Sequence, residues 1–155
     1  MMAGHLTLAL IKPHAVYSRK VGKIIADIEE AGFGIISGKM LQLREEGARR
    51  FYKEHEGKDF FPYLVKVMTT GPVWVLILAK QECVQSWRDF IGDNNPTEAA
   101  EGTLRNKYGD HVDRTLNAVH GSATDHDALR EINFFFSQEL SLLKELVKEE
   151  NKIGI

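Results

Sequence analysis

Cysteine is nearly missing from this chain. Cys83 stands alone among 155 residues, so no internal disulfide can form and no two- or four-cysteine zinc site exists. A lone thiol of this kind is expected to be a small buried or half-buried side chain. Long apolar runs are missing too. No stretch approaches the ~18 apolar residues needed to cross a bilayer. The apolar start Leu6–Ile11 is cut by Lys12 and Pro13, and no basic segment precedes it, unlike a secretory peptide. A reducing, cytoplasmic setting is therefore expected. Neither sign of charge is in excess: 20 Lys and Arg against 22 Asp and Glu leave a net −2. Nucleic-acid-binding domains usually have a pI above ~9, so a nucleic-acid surface is not the default reading. The 4 prolines and 13 glycines are scattered, with no linker, repeat or low-complexity stretch. Length and the 43% hydrophobic content suit one globular domain with its own core.

Periodicity orders the elements. Residues 6–11 read as a buried strand that Pro13 ends. Val21, Ile24, Ile25 and Ile28 recur at i, i+3, i+4 and i+7, one face of a helix over 21–31 with Gly32 as its stop. A second strand is expected over 33–43, a polar helix over 45–54 and another helix over 60–68. The run Val73-Trp74-Val75-Leu76-Ile77-Leu78-Ala79 is the clearest strand. A helix over 81–91 follows, then a polar loop over 92–113, read as functional because structureless loops of that length are uncommon. A short strand over 116–119 and a helix over 125–136 complete a βαββαβ order, which predicts an antiparallel sheet with helices on one face. Leu140, Leu143, Leu146 and Val147 have helical spacing in the tail, which would pack on its own domain or contact a neighbouring subunit. RNA-recognition modules share this topology. They need two exposed rings and basic residues on a central strand, whereas 73–79 has one ring, Trp74, and no Lys or Arg.

One segment has the makings of a nucleophile. In Asn117-Ala118-Val119-His120-Gly121-Ser122 an imidazole sits at a strand end, with a glycine to open space beside its ring. Glu131 lies 131 − 120 = 11 residues on; from a helix starting near Asp125 it can face the strand end. A carboxylate on one ring nitrogen orients the imidazole and makes the other nitrogen more nucleophilic. Lys12, Arg88 and Arg105 lie near strand or loop ends, and three such cations could converge on a polyanion. Neither a Walker A loop nor a dinucleotide-binding glycine pattern is present.

Leu10-Ile11-Lys12-Pro13, Phe51-Tyr52, Phe60-Phe61, Gly92 with Asn95-Pro96, Gly102-Thr103-Leu104-Arg105 and the Asn117–Ser122 segment occur in that order. Together they resemble the nucleoside diphosphate kinase family over residues 6–136. The resemblance implies an α+β, ferredoxin-like βαββαβ sandwich with a four-stranded antiparallel sheet, over residues 1–137, and a helical extension over 138–155. It implies ping-pong phosphoryl transfer from a nucleoside triphosphate to a nucleoside diphosphate, through a phosphohistidine at His120 oriented by Glu131. Lys12, Tyr52, Arg88 and Arg105 would surround the phosphates and the histidine, with Asn94 donating to a phosphate. Asn117 would meet the ribose 3′ hydroxyl, Phe60 would stack on the base and Leu64 would flank it. Val112 would form the second wall of the base clamp, with Leu116 as the alternative. Mg²⁺ would arrive with the nucleotide, with no metal site built by the protein. The resemblance further implies a cytoplasmic homo-oligomer, hexamer or tetramer, with no nucleic acid or membrane required.

Several positions depart from the family pattern. His14 stands where Asp is usual, Asn94 where Thr is usual, and Ala123 where Asp is usual. The interval from Arg105 to His120 is about two residues longer than usual, and Asn106-Lys107 after the arginine is uncommon. Asn94, Ala123 and the longer interval argue for the alternative reading, a non-catalytic nucleotide-binding or scaffolding module on the same fold; His120 and Glu131 argue against it, since a pure binder needs no nucleophile.

Overall fold

Every residue of β1 (Leu6–Ile11) is buried, so the strand must be covered on both faces. In the computed structural model, which describes residues 4–152 and side chains as far as residue 142, it is central in a sheet ordered β2-β3-β1-β4. β2 (Gly34–Gln42) pairs antiparallel with β3 (Pro72–Ala79), β3 with β1, and β1 with β4 (Val119–Gly121). The expected four-stranded antiparallel sheet is thus present.

Alternation along β1 divides the core. Leu6, Leu8 and Leu10 join α3 (Glu45–Phe51), α4 (Phe61–Met68) and α7 (Asp125–Lys152) on one face. Ala9 and Ile11 join α2 (Val21–Glu30), α5 (Cys83–Ile91) and α6 (Leu104–Tyr108) on the other. Helices therefore cover both faces, not the single face expected from the element order. The polar-looking segment around α3 carries Ala48 and Phe51 inward, and this supplies the second layer. Cys83 is fully buried, and burial pushes its thiol up to about 11.

Three local features differ from the expected boundaries. Pro13 opens a one-turn helix, α1 (Pro13–Tyr17), because a proline at the first helical position gives up no hydrogen bond. The 92–113 segment contains α6, capped by Thr103; five residues are too few to show a helical period. β4 begins at Val119 instead of residue 116. The Val119 N–H bonds to the Asn117 carbonyl at 2.9 Å around Ala118, whose φ is +72°, and this tight turn withholds residues 117 and 118 from the sheet.

α7 starts on a reciprocal cap: Thr124 Oγ1 accepts from the Asp127 N–H at 3.0 Å and donates to its carboxylate at 3.0 Å. That register turns Ala128, Glu131, Ile132 and Phe135 inward. At Phe136 the backbone leaves helical geometry, φ −124° and ψ 24°, which bends the helix. Just beyond, Lys39 on β2 pairs with Glu139 at 2.6 Å and Leu140 packs on the core. The tail readings at Leu143, Leu146 and Val147 lie outside the residues whose side chains are described.

Candidate active site

His120 is placed by the sheet. It pairs with Leu10 across β1–β4, and its carbonyl accepts from the Trp87 indole N–H at 3.2 Å. The glycine after it serves that contact: a Cβ on Gly121 would lie 2.8 Å from Trp87 Cδ1 and 3.0 Å from Ile91 Cδ1. The space beside His120 is thus occupied by the core, a different use from the opening expected beside the ring. Edge-on contacts with Phe51 at 5.1 Å and Tyr52 at 5.7 Å hold the imidazole on its other sides.

Glu131 meets the ring as its spacing foretold. Its Oε1 is 2.5 Å from His120 Nε2 and accepts from Ser122 Oγ at 3.1 Å. Glu131 is 2% exposed, so the carboxylate is shielded from water, while His120 is half-buried. Nε2 is engaged, and Nδ1 is the nitrogen left for chemistry.

Two clefts open onto this histidine. One, of about 520 Å³, brings together Lys12, Tyr52, Phe60, Leu64, Asn94, Arg105 and Asn117 with His120. The other, of about 740 Å³, adds Arg88 and Glu131, with Ala123 and Asp127 at its border. Nine of the other ten candidate residues therefore meet around the His120 imidazole. Val112 does not: it is 98% exposed and absent from both linings, and Leu116 is absent too. The cause is local. Asp110 Oδ1 accepts from the N–H groups of Val112 at 2.7 Å and Asp113 at 2.8 Å, so Val112 sits at the tip of a side-chain-braced turn.

The cations are held tightly. Arg105, 8% exposed, donates to the Gly92 carbonyl at 3.0 Å, Asn94 Oδ1 at 2.9 Å and the Val119 carbonyl at 3.1 Å. Burial, more than the neighbouring charges, pulls its guanidinium down to about 10. Asn94 thus accepts from Arg105, where donation to a phosphate was expected; its backbone carbonyl accepts from Asn117 Nδ2 at 2.9 Å. Lys12, 5% exposed, donates from Nζ to the Thr115 carbonyl at 3.1 Å. Burial first, then the Arg105 charge, lowers its ammonium to about 7. Burial also raises the Tyr52 phenol above its ordinary value.

Three buried polar atoms in this region have no protein partner: Tyr52 OH, Arg105 Nε and Asn117 Oδ1. Orphaned buried groups are costly and call for an explanation. Two donors and an acceptor beside a histidine and two buried cations match a ligand with both anionic and hydroxyl oxygens.

His14 supports the turn that feeds His120. Its Nε2 accepts from the buried Ala118 N–H at 2.9 Å. Burial, then the Lys12 charge, lowers it to about 4, so it is a neutral acceptor near pH 7. Sequence reading missed His55, Lys58, Arg114 and Thr115, all of which line the first cleft. Lys58, two residues before Phe60 and 5.7 Å from its ring, was the one with a positional signal.

A family profile described as nucleoside diphosphate kinase matches residues 5–140. The chain belongs to the nucleoside diphosphate kinase family. A curated relative named nucleoside diphosphate kinase, from Histophilus somni, is 47% identical over 132 residues, covering 85% of this chain and 92% of its own length. Among solved structures, the Aquifex aeolicus nucleoside diphosphate kinase superposes with a TM-score of 0.82 at 32% identity, over 86% of this chain and 96% of its own. A Halobacterium salinarum nucleoside diphosphate kinase solved with CDP gives 0.81 at 32% identity, over 88% and 90%.

Proposed function

We propose that His120 carries the phosphoryl group in this enzyme of the nucleoside diphosphate kinase family, which transfers it from a nucleoside triphosphate to a nucleoside diphosphate. The observation that carries the assignment is the half-buried His120, held by the buried Glu131 and Ser122, at the meeting point of two clefts. Glu131 accepts a hydrogen bond from the Nε2–H, which leaves the Nδ1 lone pair free. Nδ1 forms a bond to the γ-phosphorus as the bond to the bridging oxygen breaks, and that electron pair leaves with the diphosphate. The imidazolium charge that develops faces a buried carboxylate. An incoming diphosphate then attacks the phosphohistidine by the reverse path, and Nδ1 recovers its lone pair.

The remaining residues bind and orient. Lys12, Arg105 and Tyr52 face the phosphates, with the unpartnered Tyr52 hydroxyl and Arg105 Nε–H as donors. Arg88 adds charge from the second cleft. Asn94 acts through Arg105, holding its guanidinium. Asn117 Oδ1 is the acceptor for a ribose hydroxyl. Phe60, 46% exposed, offers a ring face to the base, and Leu64, 7% exposed, is both core and cleft floor. Stacking recognises a π face rather than a base edge, which suits a broad nucleotide range.

Mg²⁺ enters as part of the nucleotide substrate and, when bound, screens the phosphate oxygens. The described residues contain no group of three His, Cys, Asp or Glu that could hold an ion unaided. Asp127 and Glu54 border the second cleft as hard oxygen donors and fit an ion carried by the phosphates.

The protein is read as a cytoplasmic homo-oligomer, with residues 1–137 as the kinase domain and 138–155 as a helical extension. The bend at Phe136 supports that boundary. Among the described residues no helix is long and apolar enough to cross a membrane. His120→Ala tests the assignment. Transfer from ATP to dGDP is expected to disappear while ATP still protects the protein against thermal unfolding; turnover within about tenfold of wild type would overturn it, since the covalent step accounts for far more than ~1.4 kcal/mol.

A further inference from the structure

The slot for the base has one wall at the start of α4, with Phe60 just before the helix and Leu64 on it, and its other wall on the segment that carries Arg114 and Thr115. Tyr63 joins the two. It lies three residues after Phe60, a neighbour on the same helix surface, and its hydroxyl donates to Asp113 Oδ2 at 2.5 Å. Asp113 Oδ1 accepts from the Thr115 N–H at 3.0 Å, and the Lys12 ammonium holds the Thr115 carbonyl at 3.1 Å. The Asp110 N–H donates to the Leu116 carbonyl at 2.7 Å and closes the base of the turn. The backbone at residue 114 is thus fixed on both sides, at a place set by α4.

Arg114 follows the strapped aspartate and lines the slot with an exposed side chain. Unlike Arg105, which is buried and tied to three oxygens, it has no ion-pair partner among the described residues. We propose that Arg114, presented by the Tyr63–Asp113 strap, is the second wall of the base site, its guanidinium plane stacking on the nucleobase across from Phe60. This rests on the nucleotide reading of the cleft and replaces Val112, which the turn carries into solvent. A guanidinium suits this position because it is planar, weakly hydrated on its faces and stacks on aromatic planes. Such a wall favours the larger face of purines and still accepts any base.

The test measures KM and kcat at saturating ATP for three acceptors: dGDP, dCDP, and base-free ribose 5-diphosphate. In Arg114→Ala, KM for dGDP is expected to rise about 5–30-fold, the scale of one lost stacking partner. KM for dCDP rises less, and kcat and KM for the base-free acceptor stay unchanged. Arg114→Lys keeps the charge but not the plane and is expected to behave like the alanine variant. Tyr63→Phe gives a smaller rise in the same order of acceptors. An equal rise for all three acceptors, or rescue by lysine, would show a phosphate contact and overturn the proposal. So would an unchanged KM for dGDP. Failure of the kinase reading looks different: wild-type protein itself would transfer nothing.

Discussion

Glu131→Gln is the most informative single change at the site. Glutamine keeps the length of the side chain and an acceptor oxygen, and removes only the charge. The carboxylate makes two hydrogen bonds, to His120 Nε2 at 2.5 Å and to Ser122 Oγ at 3.1 Å, and its Oε2 lies 3.8 Å from the Arg130 guanidinium, a weak pairing that is the same before and during attack. The Ser122 bond is the same before and during attack, so its weakening cancels from the rate. The His120 contact does not cancel, because the ring gains positive charge as Nδ1 bonds phosphorus. A hydrogen bond to a charged group is worth about 1.5–3 kcal/mol and a neutral one about 0.5–1.5, so the variant loses about 1–2 kcal/mol of barrier lowering. That is roughly 5–30-fold in the phosphorylation rate. Should the amide turn its NH₂ toward Nε2, the ring proton moves to Nδ1 and the loss deepens. Rapid-quench single turnover with MgATP reads the rate directly. ATP affinity is expected to hold, because Glu131 is outside the cleft that receives Lys12 and Phe60. A phosphorylation rate within twofold of wild type in a fully folded variant would refute the role given to the pair.

Three further outcomes follow from the geometry. Gly121→Ala forces a Cβ to 2.8 Å from Trp87, an overpacking that costs about 1–3 kcal/mol and lowers Tm by roughly 3–10 °C in calorimetry; an unchanged Tm would contradict it. Lys12, at about 7 in the free protein, is drawn back toward the ammonium by phosphate, so nucleotide binding takes up a proton above that pH. KM is therefore expected to climb by up to tenfold per pH unit above about pH 7, a slope that Lys12→Met removes; a flat KM from pH 6 to 9 would speak against it. His14, lowered to about 4, binds protons more weakly folded than unfolded, so stability falls as pH drops from about 6.5 through 4. His14→Leu leaves the buried Ala118 N–H unpaired, at a cost of about 1–3 kcal/mol in urea unfolding, and His14→Asn, which restores an acceptor, is expected to recover most of it.

Strong periodicity carried most of the fold. β1 and β3 are runs of β-branched and bulky residues, and α2 shows its apolar face at every expected position, so all three stand where the sequence puts them. The β4 boundary and α6 were hidden because one depends on a positive φ at an alanine and the other is five residues long. Coverage of both sheet faces was written in β1 itself, which is apolar without alternation apart from Thr7. Most of the candidate site was readable from the ordered motifs and the His120–Glu131 spacing. Val112 lies outside both clefts because the turn braced by Asp110 carries it into solvent, an arrangement visible only in the hydrogen bonds of Asp110 and Asp113. The support that His14 gives, accepting a backbone N–H 104 residues away in sequence, has no local signature.

Phosphorylation of His120 at Nδ1, and release of the group to an acceptor, is tested most directly by a burst experiment. Wild-type protein mixed with γ-labelled MgATP and no acceptor should release one burst of ADP, close to one equivalent per chain. The label should be acid-labile, map to His120 and leave on addition of dGDP. Label on another residue, or dGDP phosphorylation with no labelled protein on the path, would contradict the account.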